Sequence, residues 1–261
     1  MKEFQTIEYK QQDRIATIAF NRPDAANGLN LEMATEFALA AQRAAEDASL
    51  KAVILTGNGR FFCAGGDVKA MQESPLGPSA GVKQIADELH KAISILSRMA
   101  TPLIVAVNGT AAGAGFSTAV IGDLVVAAES AKFTMAYTNV GLSPDGSASY
   151  FMPRLIGLRK TQELMFTNKV LNAQEALHWG LINRVVPDAH LMAAALEWAE
   201  MFANGASGSF AAVKSLLLQS PTNELEAQMA LEAQTIAERA DSADGQEGID
   251  AFVEKRRPTF S

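Results

Sequence analysis

The chain has 261 residues, of which 48% are hydrophobic and 20% charged, and a formal net charge of −7. This is the composition of a globular protein with a substantial core, and the negative charge argues against a general nucleic-acid binder. The single cysteine, Cys63, excludes an internal disulfide framework, and the three histidines lack metal-ligand spacing. The first ten residues contain no apolar signal segment, so we expect a cytoplasmic protein.

The N-terminal segments predict strand, helix and strand in a parallel sheet. Residues 4–9 and 14–20 alternate in polarity as paired strands do, with a turn at residues 11–13. Asn30 is the predicted N-cap of a helix that ends near residue 47, and residues 51–56 form a short apolar strand. A helix between two strands favours a parallel connection.

Two adjacent glycines follow the next apolar segment. In residues 60–68, Gly65 and Gly66 precede Asp67, which can cap a following helical turn. A tight turn with no further role explains this pattern equally well. Cys63 lies between apolar neighbours and is predicted to be a small buried hydrophobic residue.

A helix is predicted at residues 82–98, after a loop rich in proline and glycine at residues 74–81. Its apolar residues recur at helical spacing. His90 lies at the edge of this apolar stripe. A histidine in that position is either a structural residue or a functional one, and the spacing does not distinguish the two.

Residues 101–123 combine a buried strand, a turn and a glycine-rich helix start. The strand at residues 103–107 is followed by an Asn-Gly turn, and Gly113 and Gly115 then flank Ala114. Free N–H groups and the positive end of the dipole at a helix N-terminus can hold a negative charge near Ala114. Plain close packing of a helix on a strand is the alternative. Pro102, the turn and the glycines argue against a membrane-spanning helix.

The second half of the chain is predicted to be mainly helical. Strands are predicted at residues 124–128, 131–137 and 181–186, and the sequence Ser-Pro-Asp-Gly around Asp145 is typical of a turn. The predicted helices are residues 147–156, 160–167, 173–179, 190–203, 207–219, 223–239 and 246–255.

Together these segments resemble the crotonase superfamily, the enoyl-CoA hydratase/isomerase family. The matching segments are residues 20–23 (FNRP), 62–67 (FCAGGD), 108–109 (NG), 112–115 (AGAG), 180–182 (GLI), 251–252 (AF) and 255–258 (KRRP). The resemblance implies an α/β fold with a ClpP-like ββα spiral core over residues 1–200 and a C-terminal helical trimerisation region over residues 201–261. It also implies a homotrimer or dimer of trimers that binds an acyl thioester of coenzyme A, without a separate cofactor or a metal.

The resemblance gives the two glycine-rich turns a shared role. In this family two backbone N–H groups polarise the thioester carbonyl, and by position they belong to Gly66 and Ala114. A thioester enolate carries negative charge on that oxygen, and each fixed donor lowers the barrier by about 3 kcal/mol.

The resemblance also bears on the reaction, which the fold alone does not name. Family hydratases carry two glutamates at the positions of Ser117 and Tyr137, so simple hydration is disfavoured here. Asp145 matches the catalytic carboxylate of the isomerase branches, and one carboxylate suffices to move a double bond or rearrange a ring through an enolate. The alternatives are a hydratase, an aryl-CoA dehalogenase-like hydrolase that uses Asp145 with His90, and a non-catalytic acyl-CoA-binding homologue.

Further substrate contacts are implied for residues that match the family's binding segments. Those expected to hold coenzyme A are Ala26, Ala64, Gly65, Asp67 and Val68, and those expected to shape the acyl pocket are His90, Ser117 and Tyr137. Lys255 or Arg256 would reach the phosphates, for which a neighbouring subunit is one source. A solvated helix end explains the same basic tail.

Overall fold

The structure, a computed structural model, describes residues 4–261. Within these residues the strands are β1 (Ile7–Gln12), β2 (Ile15–Phe20), β3 (Ala52–Gly57), β4 (Phe61–Cys63), β5 (Leu103–Val107), β6 (Thr110–Ala112), β7 (Leu124–Ala128), β8 (Lys132–Thr134), β9 (Leu171–Asn172) and β10 (Arg184–Val186). The helices are α1 (Leu31–Glu46), α2 (Val68–Gln72), α3 (Pro78–Arg98), α4 (Ala114–Ala119), α5 (Ala148–Thr167), α6 (Ala173–Trp179), α7 (Leu191–Ala203), α8 (Ser207–Gln219), α9 (Leu225–Ala240) and α10 (Ala243–Glu254).

The strands form two sheets that the chain visits in turn. The larger sheet has the order β1-β2-β3-β5-β7-β10 and is parallel except for the β1–β2 hairpin. The smaller sheet has the order β4-β6-β8-β9, with β4, β6 and β8 parallel. Three successive units therefore each place one strand in the large sheet and the next in the small sheet before a helix. This repetition brings the turns after β4 and β6 side by side.

The central strands of the large sheet are buried on both faces. In β3, Val53 and Leu55 belong to the core that contains α1 and α3, whereas Ile54 packs with Ala195 and Ala199 of α7. A strand covered on both faces needs apolar residues throughout, which explains the continuous apolar runs of β3 and β5.

Several predicted boundaries need correction. The first turn lies at Asp13, not at residues 11–13, because β1 continues to Gln12 and pairs it with Ile15. The predicted loop at residues 74–81 is helical from Pro78, since proline is well tolerated in the first turn of a helix. The strand predicted at residues 181–186 is only Arg184–Val186. The three-residue strand β6 and the two-residue strand β9 were not predicted because they are too short to show periodicity.

As the sequence predicted, residues 101–123 do not form a membrane-spanning helix. They form β5, a turn, β6 and α4, all largely buried in the protein. No helix within residues 4–261 has both the length and the apolarity needed to cross a bilayer.

An ion pair of Lys214, whose side chain is largely buried, connects α8 to the core. The predicted division after residue 200 falls inside α7, and α7 packs on the large sheet as part of the core. Beyond it, the ammonium group of Lys214 on α8 lies 2.7 Å from Asp123 Oδ2 and also donates to the carbonyl oxygen of Leu96 at 2.9 Å. The Lys214 side chain is only 9% exposed.

We expect Lys214→Met to destabilise the fold. The variant removes the ammonium group that binds Asp123 and donates to the Leu96 carbonyl oxygen, and hydrogen bonds from a charged donor of this kind contribute about 1.5–3 kcal/mol to the unfolding free energy. Lys91→Met is a matched control, because Lys91 is 60% exposed and its pair with Glu88 contributes at most about 0.5 kcal/mol. Urea unfolding of both variants tests this, and equal losses of stability would contradict the anchoring role.

Candidate active site

The turn after β4 is held by hydrogen bonds on both sides of Gly66. The amide of Leu29 donates to the carbonyl oxygen of Gly65 at 2.8 Å, and the amide of Asp67 donates to the carbonyl oxygen of Leu29 at 2.9 Å. The amide of Ala64 donates to Ala26 at 3.1 Å. Within residues 4–261, no backbone acceptor outside regular helices and strands takes the N–H of Gly66. That N–H is therefore fixed in direction and free for a ligand.

Asp67 supports this turn and does not line the site cavity. Its Oδ1 accepts from the amide of Ala70 at 3.1 Å, which confirms the predicted helix cap. Its Oδ2 lies 3.1 Å from the guanidinium of Arg22, which also donates to the carbonyl oxygen of Gly28. Both carboxylate oxygens are thus engaged inside the protein, and the coenzyme A contact predicted for this segment of the chain stays a prediction.

Asn27 holds neighbouring segments of the site together, a role that the sequence did not predict. It is completely buried, and its amide group donates to the carbonyl oxygens of Asn58 at 3.0 Å and Phe61 at 2.8 Å. Its Oδ1 accepts from the amide of Arg22 at 2.8 Å. The Asn-Gly pair directly after Ala26 was the available signal, because asparagine readily adopts the positive φ of 53° found here.

The turn after β6 presents a second free N–H. Gly113 has φ 52° and ψ −125°, which favours glycine strongly, and its amide donates to the carbonyl oxygen of Thr134 at 3.0 Å. Helix α4 starts at Ala114, and the first bond inside it runs from the amide of Ser117 to Gly113 at 3.0 Å. The N–H of Ala114 is therefore among those left unpaired at a helix start.

Gly66 and Ala114, the residues with these free amides, line one cavity of about 350 Å³. Apart from Tyr137, Ser143 and Asp145, its lining is apolar or glycine. The lining residues are Leu29, Ala64, Gly65, Gly66, Val68, Met71, Val82, Ile85, Ala86, Leu89, Gly113, Ala114, Ala136, Tyr137, Val140, Leu142, Ser143 and Asp145. Two fixed N–H donors in an apolar cavity are suited to an oxygen atom that gains negative charge.

Asp145 is the carboxylate of this cavity, and Tyr137 holds it. The hydroxyl of Tyr137 donates to Asp145 Oδ1 at 2.6 Å, while Ser117 Oγ lies 3.1 Å from the same hydroxyl. Because the only phenolic hydrogen goes to Asp145, the Ser117 hydroxyl has two acceptors for its own hydrogen, the Tyr137 oxygen and the carbonyl oxygen of Gly113 at 3.3 Å. This chain of three groups fixes one carboxylate oxygen and leaves Oδ2 for chemistry.

His90 contacts Asp145 from outside the cavity. Its Nε2 accepts from the amide of Gly146 at 3.1 Å and lies 3.6 Å from Asp145 Oδ2. A ring nitrogen that accepts an N–H carries no hydrogen of its own, so the neutral ring is protonated at Nδ1. The His90 side chain is 49% exposed and that of Asp145 is 29% exposed.

Burial raises two pKa values at the site. The pKa of the Tyr137 hydroxyl is raised well above its usual range, first by burial and then by the charge of Asp145. Burial raises the pKa of the Cys63 thiol to about 12, which agrees with its prediction as a buried hydrophobic residue rather than a nucleophile. Tyr137 therefore keeps its proton, and its bond to Asp145, at neutral pH.

The predicted site residues fall into two groups. Ala64, Gly65 and Val68 line the cavity together with Gly66, Ala114, Tyr137 and Asp145. The residues outside the lining are Ala26, Asp67, His90 and Ser117. Ser117 is completely buried beneath Tyr137, so it supports the site and does not face the cavity.

Arg256 of the basic tail is paired within its own chain. The guanidinium of Arg256 contacts Glu247 and Glu254, each at 2.6 Å, and it holds the pKa of Glu247 at about 2. Lys255 caps α10 with a positive φ of 56°. Within residues 4–261 no cluster of three or more metal-ligating side chains is found.

We expect Gly115→Ala to disturb the close contact between the turns that follow β4 and β6. An added Cβ would overlap the carbonyl oxygen of Cys63, a backbone atom that cannot move aside, and overpacking of this kind costs about 1–3 kcal/mol. Gly248→Ala is the control, because its Cβ would meet nothing closer than 3.5 Å in a helix. Thermal unfolding should show a loss for the first variant only, and an unchanged midpoint for Gly115→Ala would contradict the close contact.

The raised pKa of Tyr137 predicts a stability that falls at high pH. Above pH 10 the unfolded chain releases the phenolic proton while the folded chain keeps it, so unfolding is favoured as pH rises. Between pH 9 and 11 the wild type should lose about 1.4 kcal/mol more unfolding free energy than Tyr137→Phe does. Urea unfolding at a series of pH values measures this difference, and parallel curves would show that the hydroxyl is not buried and paired.

The chain is similar to known proteins over almost its whole length. Residues 10–261 match the sequence pattern of the family described as enoyl-CoA hydratase/isomerase. A Rhodobacter capsulatus protein named probable enoyl-CoA hydratase is 37% identical over 258 residues, 99% of this chain and 98% of its own. The 1,2-epoxyphenylacetyl-CoA isomerase of Escherichia coli is 36% identical over 250 residues, 95% of each chain.

Solved structures show the same architecture. The crystal structure of enoyl-CoA hydratase from Bacillus anthracis has a TM-score of 0.92 and 30% identity over 98% of this chain and 99% of that chain. The predicted α/β crotonase fold is thereby confirmed. With nearly the whole sequence matched and two free amides meeting at one cavity, the chain belongs to the enoyl-CoA hydratase/isomerase family.

Proposed function

We propose that this chain is an acyl-CoA isomerase that moves a double bond, or rearranges a ring, through a thioester enolate. The observation that carries the proposal is that Asp145, the one carboxylate that residues 4–261 contribute to the cavity lining, shares that lining with Gly66 and Ala114. An isomerase of this kind needs one base and one oxyanion site, and this cavity has both.

The chemistry follows from the two components. Asp145 takes a proton from the α carbon of a β,γ-unsaturated thioester, and the electron pair of that C–H bond moves into the dienolate, whose oxygen becomes negative. The amides of Gly66 and Ala114 donate to that oxygen without reorganising. Protonated Asp145 then returns the proton to the γ carbon, which re-forms the thioester carbonyl and leaves the double bond between the α and β carbons.

The side chains at the hydratase positions support isomerisation over hydration. Ser117 is buried away from the cavity, and the Tyr137 hydroxyl donates its hydrogen to Asp145. Addition of water to an enoyl thioester needs a group that accepts a proton from water and a group that protonates carbon. Asp145 alone would have to serve both purposes.

A second candidate is hydrolysis of an aryl-CoA that carries a leaving group. The 3.6 Å distance between His90 Nε2 and Asp145 Oδ2 favours it, because a histidine beside an aspartyl ester could activate water. In that reaction Asp145 would attack the ring carbon and expel the leaving group with its bonding electrons. Leu89 and Tyr137 stand where the dehalogenase-like relatives surround the ring with tryptophan, so we place this candidate second.

The ligand and assembly belong to the same proposal. Ala64 and Val68 are exposed at the mouth of the cavity, where they can contact the pantetheine arm of coenzyme A. The C-terminal helices expose Leu217, Ile236 and Phe252, which are 67%, 72% and 86% exposed. We propose that a homotrimer or a dimer of trimers covers these side chains.

The test is a pair of assays, with a 3-enoyl-CoA and with crotonyl-CoA, on the wild type and on Asp145→Asn. The asparagine keeps the shape of the side chain but cannot accept the proton, so isomerisation should fall by about 100-fold to 10,000-fold. Asp13→Asn is the control, because Asp13 is an exposed turn residue with a positive φ that asparagine tolerates.

Three other outcomes would redirect the proposal. Brisk hydration of crotonyl-CoA that survives Asp145→Asn would point to a hydratase that uses another group. Release of halide from a 4-halobenzoyl-CoA, with no isomerisation, would favour the aspartyl-ester mechanism. Binding of acyl-CoA with no turnover of any of these substrates would identify a non-catalytic homologue.

A further inference from the structure

His90 lies between Asp145 and the solvent outside the acyl cavity. It contacts Asp145 through Nε2, yet it does not line the acyl cavity. It does line two other cavities, of about 610 and 640 Å³, that share no lining residue with the acyl cavity. With nearly half of its side chain exposed, His90 lies between the partly exposed Asp145 carboxylate and solvent on the far side of α3.

An acyl chain bound in the cavity would close the direct route from water to Asp145. The cavity of about 350 Å³ is small, and a bound chain displaces water from it. Asp145 Oδ1 is already occupied by the Tyr137 hydroxyl. Oδ2 is then left with the substrate on one side and His90 on the other.

We propose that His90 exchanges the proton of Asp145 with solvent while the substrate is bound. This inference rests on the proposed isomerase function. Protonated Asp145 gives its proton from Oδ2 to His90 Nε2, and the imidazolium releases the proton on Nδ1 to water. The reverse sequence takes a proton from solvent and leaves the carboxyl group protonated for return to the γ carbon.

The hydrogen bond from Gly146 sets the condition for this exchange. The Gly146 amide and the Asp145 carboxyl group compete for the same lone pair of Nε2. The hydrogen bond from the Gly146 amide to Nε2 must therefore break when Nε2 takes the proton. The 3.6 Å distance between Nε2 and Asp145 Oδ2 must also shorten to hydrogen-bond length. Gly146 has a positive φ of 60° and follows Asp145 directly, so one turn carries both the amide and the carboxyl group that must move.

The test measures the source of the hydrogen at the γ carbon of the product. The enzyme isomerises a 3-enoyl-CoA in deuterium oxide under single-turnover conditions, and mass spectrometry gives the fraction of product that carries deuterium. This fraction is counted per product molecule, so a smaller amount of folded enzyme does not change it. We expect wild type to incorporate deuterium and His90→Gln to incorporate on the order of tenfold less.

The glutamine variant separates exchange from positioning. Its side-chain oxygen can still accept from the Gly146 amide, but it cannot take a proton on one atom and release another. Lys91→Ala is the matched control, since Lys91 follows His90 on α3, is exposed and lines the same outer cavity; its deuterium fraction should equal that of wild type.

The outcomes distinguish this inference from the proposed function. Isomerisation with the same deuterium fraction in wild type and His90→Gln would overturn the role of His90 and leave Asp145 as the base. Isomerisation by wild type without any deuterium incorporation would overturn it as well. Absence of isomerisation in wild type would overturn the proposed function, and this inference with it.

Discussion

The close contact between two backbone turns is the feature on which the rest of this structure depends. The residue pairs Cys63–Gly115 and Gly65–Ala112 approach so closely that a Cβ on either glycine would overlap or crowd a carbonyl oxygen. This contact is possible because β4 and β6 are parallel neighbours in the small sheet, so that the turns that follow them lie side by side. Buried backbone groups are normally paired, and the amides of Gly66 and Ala114 are exceptions that both open into one cavity. The fold thus maintains two unsatisfied donors at the place where a ligand oxygen can satisfy them.

Polar groups contact Asp145 from two sides. On the inner side, Ser117 and Tyr137 form a chain of hydrogen bonds that orients the carboxylate, and burial keeps the tyrosine protonated. On the outer side, His90 holds the turn that carries Asp145 by accepting from the Gly146 amide. A single carboxylate between a fixed donor and an exposed imidazole is suited to pick up a proton and release it elsewhere. Ser117 and Tyr137, which occupy the positions of the two hydratase glutamates, here form the hydrogen-bond chain to Asp145.

The sequence predicted many of the helices, strands and helix caps, but it did not predict the hydrogen bonds that hold the site's turns in place. Strong periodicity and end signals located α1, α6, α8, β5 and β7, and Asn30 and Asp67 were predicted as caps and are caps. The resemblance to the crotonase superfamily then indicated Gly66, Ala114 and Asp145, which the structure brings to one cavity.

What could not be predicted depends on distant contacts. The local pattern around Asn27 does not reveal that it bonds to residues 31 and 34 positions away. Nor does it show that both oxygens of Asp67 are occupied by Arg22 and a helix start. The most direct test of the mechanism is the infrared spectrum of an isotope-labelled thioester carbonyl in an unreactive enoyl-CoA analogue. Bound to the protein, its carbonyl stretch should shift to lower frequency than in water, because the amides of Gly66 and Ala114 polarise the bond. A stretch at the frequency of free ligand in water, or above it, would show that the two amides do not bind the thioester oxygen.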